Sequence, residues 1–266
     1  LGMQKKTLKL SAIQTSIRNA SKRYQGIHQF RAGIELNSLV ASYQKLFPHK
    51  GSLQDFHGTP FPKRADQIFG TKTPKQRVSA IREILWAISR SLQFSSELRG
   101  FIGMQERYQI AILENDFDSS SSYLRDIQND FGKSIWLYHN LIASAYTSPS
   151  GSEPADSAAR VLEEVKCNSL LHALLHYARR RIEGATLRDK LRTEVIEHIG
   201  QSGYETYFLA KLIDATDSSE SVVSNLLFFD AQASVIDHYT SLILALQAAA
   251  SAEMFENDTT SLIKSP

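Results

Sequence analysis

Residues 115–146, NDFDSSSSYLRDIQNDFGKSIWLYHNLIASAY, decide how this chain is read. Asn115-Asp116-Phe117-Asp118 is turn chemistry, since short polar side chains bond their own backbone in preference to continuing a helix. Tyr123, Leu124 and Ile127 then recur at helical spacing, and Gly132 fits a C-terminal cap. Ser134 to Tyr146 forms the next helix, carrying Ile135, Trp136, Tyr138, Leu141, Ile142 and Ala145. Helix follows helix across a short turn, and no run alternates as a strand would. The fold class is therefore all-α: helical hairpins stacked as a solenoid-like array or an irregular bundle.

Working toward the N-terminus, Ser96 is a plausible cap for a helix carrying Phe101, Met104, Tyr108 and Ile112. Before it, Thr73-Pro74-Lys75-Gln76 reads as a helix start, with a capping hydroxyl, proline at the first helical position and glutamine three residues after the cap. Val78, Ile81, Leu85, Ile88 and Leu92 follow as a core stripe. Residues 48–73 hold Pro48, Pro60 and Pro62 with Gly51, Gly58 and Gly70, and read as a Pro/Gly-containing loop. Residues 3–47 form a basic helical arm with apolar stripes from Leu10 to Ile27 and from Leu36 to Phe47, with Gly26 and Gly33 as candidate interruptions.

Toward the C-terminus, 148–154 is a loop and helices resume at Pro154. Breaks are expected near Asn168, at Gly184, across Gly200–Gly203 and over 214–219, with one or two helices from Val222 to about Met254. The body spans 74–255 and a polar tail 256–266. Leu1-Gly2 ahead of Met3 looks like a cloning scar, so the reading starts at Met3.

Charge divides sharply along the chain. Residues 1–100 carry 17 Lys/Arg against 5 Asp/Glu, and residues 101–266 carry 13 against 23, within a total of +2. A basic front suits an acidic protein surface, a polyanion or a membrane surface. The apolar stretch Leu242–Ala252 is interrupted by Gln247 and Ser251, which reads as a packed helix and not a membrane span. One cysteine, Cys167, excludes an internal disulfide and a multi-cysteine zinc site, and fits a reducing, cytoplasmic setting.

The 115–141 stretch resembles a tetratricopeptide-type unit, with Asp116-Phe117 in the inter-helix turn, Leu124 and Ile127 on the second helix and Tyr138 and Leu141 on the next. Gly132 and Gly200 lie 68 residues apart, twice the 34-residue period of that repeat. Ser120 stands where the pattern has alanine, and Ile142 where it has a small residue. Over residues 97–253 the resemblance implies a peptide- or protein-binding scaffold.

Candidate chemistry is sparse. His172 and His176, four apart, would share a helix face and could offer two imidazoles to a metal; the glutamate that zinc hydrolases need is replaced by Ala173. Arg192 and His198 resemble the Arg-x4–6-His motif of the all-helical HEPN ribonucleases, and Arg23 and His28 match it too, about as many matches as composition gives by chance. That resemblance implies metal-independent RNA cleavage if the chain is an enzyme. Arg179-Arg180-Arg181 close a helix, either complementing its dipole or forming an anion patch. In the arm, Lys5, Lys6, Lys9, Arg18, Lys22, Arg23 and Arg31 could neutralise phosphates, with Tyr24 and Phe30 available for stacking.

No Gly-rich phosphate loop, nucleophile elbow or paired-carboxylate site is present in the sequence, and no cofactor is expected. The expected role is a non-enzymatic interaction scaffold or adaptor presenting a helical groove, with self-assembly through basic arm and acidic body as one route. The alternative is a nucleic-acid-binding protein or RNA-targeting effector that uses the arm.

Overall fold

The computed structural model describes residues 10–19, 22–49, 54–69, 77–147, 154–184, 188–199, 204–212 and 220–251. Every regular element among them is helical: α1 (Leu10–Arg18), α2 (Arg23–Gly33), α3 (Leu36–Leu46), α4 (Gln54–His57), a 3-10 turn (Ala65–Gln67), α5 (Ala80–Gln93), α6 (Ser95–Leu113), α7 (Phe117–Phe131), α8 (Ile135–Thr147), α9 (Pro154–Val165), α10 (Ser169–Ile182), α11 (Arg188–Ile199), α12 (Glu205–Leu212), α13 (Glu220–Asp230) and α14 (Val235–Ser251). No helix among the described residues is long and apolar enough to cross a membrane.

From α6 to α14 each helix packs on the next in sequence. The run also returns on itself: α13 and α14 pack on α5, and α14 packs on α8. α5 sits between α2 and α3 on one side and α13 and α14 on the other.

Local chemistry sets the boundaries. Asp116 caps α7 by accepting from the Ser119 amide at 3.1 Å, and Asn168 caps α10 by accepting from the Leu171 amide at 3.1 Å. Ser134 caps α8 through the Leu137 amide. Gly132 ends α7 with φ +72°. Gly26 does not interrupt α2; it lets α1 approach, because a Cβ there would lie 3.0 Å from Ile17 Cγ1. The break falls instead between α1 and α2.

Two expectations fail at α5. The Thr73–Gln76 signal lies outside the described residues, but Arg77, Val78 and Ser79 are not helical and α5 begins at Ala80. The Val78 carbonyl accepts the Ser224 hydroxyl and the Ala80 amide donates to Glu220, so α13 holds this backbone outside a helix. The expected stripe is not the core face either: Val78, Ile81, Leu85 and Ile88 are half-buried and Leu92 is 50% exposed, whereas Ala80, Glu83, Ile84, Trp86, Ala87, Ser89 and Arg90 are buried. A helix covered from two sides buries its polar residues as well, and those must then be paired.

Residues 54–69, read as loop, anchor in the interior at Phe56, His57, Pro62, Ala65 and Ile68, with Lys63, Arg64 and Asp66 exposed between them. Phe56 joins Phe30, Tyr43 and Phe47 around the fully buried Trp86, with Tyr43 edge-on to the indole at 4.8 Å. The Pro60 carbonyl accepts from the Val235 amide at 2.9 Å and the Pro62 carbonyl from the Lys133 amide at 2.6 Å. One strap thereby fixes both the α7–α8 and the α13–α14 turns.

Candidate functional site

The residues singled out by the sequence do not converge. Lys5, Lys6 and Lys9 lie outside the described residues, as does the side chain of Arg18. Lys22 is exposed, and Arg23 Nε donates to the Ile17 carbonyl at 3.2 Å. Arg31 requires a correction: it is not available to a phosphate, because it is buried with the equally buried Glu83. The α2 face carrying it packs on α5, and the guanidinium lies over the rings of Trp86 (5.3 Å) and Phe56 (5.6 Å).

The three consecutive arginines each meet a group of their own chain. Arg179 pairs with Glu183 at 2.7 Å and donates to the Tyr146 hydroxyl. Arg180 forms a two-bond pair with Glu194 that holds this carboxyl below its usual range. Arg181 donates to the Leu212 carbonyl, linking α10 to the end of α12. His172 and His176 sit on α10, with burial and then Arg180 lowering the His176 pKa. Among the described residues, no group of three or more His, Cys, Asp or Glu could hold a metal ion. Arg192 and His198 are both exposed on α11, and His198 Nδ1 donates to the Glu194 carbonyl at 2.8 Å.

The chemistry the sequence did not reveal is interior. Arg90, buried on α5, donates to the carbonyls of Ala231 (3.1 Å) and Ala233 (3.0 Å) and to His238 Nδ1 (3.2 Å). It satisfies carbonyls left open where α13 ends. His57 Nδ1 donates to the same Ala231 carbonyl at 2.7 Å. Burial, followed by the Arg90 charge, holds both histidines well below the ordinary imidazole pKa, so both are neutral. Arg90 itself falls to about 10 through burial.

A second set joins α8, α12, α13 and α14. Asp237 accepts from the Ile135 and Trp136 amides at 3.0 Å and from the Ser234 hydroxyl at 2.7 Å, so one carboxylate serves the first turns of two helices. Asp230 accepts from the Tyr207 and Ser241 hydroxyls and pairs with Lys211 at 2.6 Å. These residues back a cleft between α8, α10, α12 and α14.

The outer surface offers a different feature. α6 exposes Ile102 (38%), Ile110 (47%) and Leu113 (82%) on one face. Leu113 stands on the lip of a groove formed with α8 by Tyr108, Ile112, Asn140, Ala143 and Ser144, whose lining carries no charge. The sequence places Phe101, Met104, Tyr108 and Ile112 on this helix and does not single out Ile102, Ile110 or Leu113, because nothing in it says which face is left uncovered.

Comparison with protein-family models, with curated proteins and with solved structures finds no match to this chain.

Proposed function

We propose that this chain is a non-enzymatic helical scaffold that joins a second copy of itself through the α6–α8 groove. The observation that carries this reading is Leu113, 82% exposed beside an uncharged groove. A protruding leucine and a groove on one face are self-complementary, which a two-fold interface requires. Ile110 and Ile102 extend the apolar surface along α6. The tetratricopeptide resemblance over 97–253 supports a binding role, and the single cysteine supports a reducing, cytoplasmic setting.

The test is molar mass by light scattering on the full chain at up to about 100 µM, a range that reveals weak dimers. A dimer that Leu113→Glu converts to monomer, with helicity unchanged, supports the reading. A wild-type chain that stays monomeric ends it. A salt series with labelled single-stranded RNA separates the nucleic-acid alternative: affinity falling steeply with salt would assign the basic arm to phosphates, and the scaffold reading expects none.

A further inference from the structure

The cleft between α8, α10, α12 and α14 encloses about 200 Å³. A cavity of roughly 150 Å³ suffices to hold benzene, so this one accepts a molecule slightly larger. Its walls are apolar, with Ile135, Leu174, Leu175 and Leu244 among them, and a few polar groups converge on it. That combination is the ordinary make-up of a small-molecule site.

The state of the polar groups selects the ligand. The two carboxylates each already hold three partners: Asp237 two amides and a hydroxyl, Asp230 two hydroxyls and Lys211. Lys211 is in turn held by Asp230 and the Ser241 hydroxyl. Three groups retain capacity: Lys211 keeps one of its three ammonium N–H bonds, and Arg181 and His139 keep more. Arg181 uses Nη1 on the Leu212 carbonyl, and its Nε and Nη2 have no acceptor among the described residues. Neither ring nitrogen of His139 has a hydrogen-bond partner among them, and burial together with the charges of Arg181 and Lys211 keeps the ring neutral, with one N–H to donate. A half-engaged guanidinium and an idle imidazole N–H match one carboxylate. A dianion would meet Asp237, which lines the same space.

We propose that this cleft binds a small monocarboxylate, its apolar body between Leu174, Leu175 and Leu244 and its carboxylate accepting from Arg181 and His139. Trp136 lines the cleft and Trp86 does not, so indole emission reports on occupancy.

The probe is sodium benzoate, titrated into the full chain and followed by tryptophan emission, with benzamide as its uncharged counterpart. The expected result is saturable binding of benzoate, at least about tenfold tighter than benzamide, because the guanidinium–carboxylate bond is lost in the amide. Arg181→Gln is expected to weaken benzoate at least about tenfold and leave benzamide unchanged. The comparison of the two ligands on the wild-type chain holds even if the variant folds poorly. No saturation by benzoate, equal affinity for the two ligands, or a folded Arg181→Gln chain that binds benzoate as the wild type does would each overturn the proposal.

Discussion

Arg31 Nη2 lies 2.5 and 2.6 Å from the two carboxylate oxygens of Glu83, across 52 residues of sequence, with both side chains 1% exposed. The pair ties α2 to α5 from inside. Three things hold this segment on α5: apolar packing around Trp86, the buried ion pair, and Arg82 donating to the Arg31 and Ile34 carbonyls at the end of α2. Burial raises the Glu83 pKa, and Arg31 opposes that rise.

Removing one partner of this pair leaves a buried charge alone. Glu83→Leu is expected to destabilise the chain by about 3–5 kcal/mol, and Arg31→Met combined with Glu83→Leu to recover most of the loss. Urea unfolding of the two variants checks this; a double variant no better than the single one would mean that the pair is not the source of the loss.

Arg90 bridges two carbonyls, a geometry that lysine cannot reproduce. Arg90→Lys is expected to lose roughly 2–3 kcal/mol through unpaired buried carbonyls. Hydrogen exchange should locate the weakening at the α13–α14 turn, where the Ala231 and Ala233 carbonyls lie.

Acid stability follows from the interior groups. His57 and His238 are held well below 6.5, so their contribution is present above about 6.5 and is lost as pH falls below it. Asp237 is pushed up from 3.8 to about 6 by burial, so its contribution is full below 3.8 and is lost as pH rises through about 6. Below pH 6.5 the two histidines therefore outweigh the one carboxyl. His238→Asn, whose amide oxygen can take the Arg90 bond, should reduce the slope of stability against pH between 5 and 6 by up to about 1.4 kcal/mol per unit. Asp237→Asn should steepen the acid loss.

Two glycines give a matched contrast. A Cβ at Gly132 would lie 2.2 Å from the Pro62 carbonyl oxygen, in a residue at φ +72°, whereas a Cβ at Gly103 on α6 meets nothing within 4 Å. Gly132→Ala is expected to cost more than about 2 kcal/mol, combining strain with loss of the Pro62 strap. Gly103→Ala should stabilise by up to about 1 kcal/mol. Thermal melts of both distinguish them.

Leu113→Glu places a charge where wild type exposes a leucine, so its folding free energy should move by less than about 0.5 kcal/mol. Its sedimentation at high concentration should change, and a variant that loses helicity would contradict the exposure of this side chain.

The helical class, the turn at Asp116, the Gly132 cap, the helix beginning at Ser134 and the break near Asn168 were legible because each rests on chemistry within four or five residues. The failures share a cause. Pattern reading takes charged residues as solvated and a Pro/Gly-rich run as peripheral. Arg31, Glu83 and Arg90 are buried because their partners come from distant segments, and the run 54–69 is tied to the body because the Pro60 and Pro62 carbonyls meet the Val235 and Lys133 amides. Of the cleft, Arg181 was noticed as one of three basic residues closing a helix. His139 carried no signal, since its distinction is having no hydrogen-bond partner among the described residues, in a place that four helices create.

The sequence by itself determined that this chain is a succession of short helices and where most of them stop, because helix formation and capping are local. The tertiary structure alone decided which faces are covered. Whether Arg31 meets solvent or Glu83, whether Pro60 and Pro62 sit outside or bind two turns, and whether Leu113 is core or surface all depend on residues far away in the chain. Burial is a property of what packs against a side chain, and no local pattern encodes it.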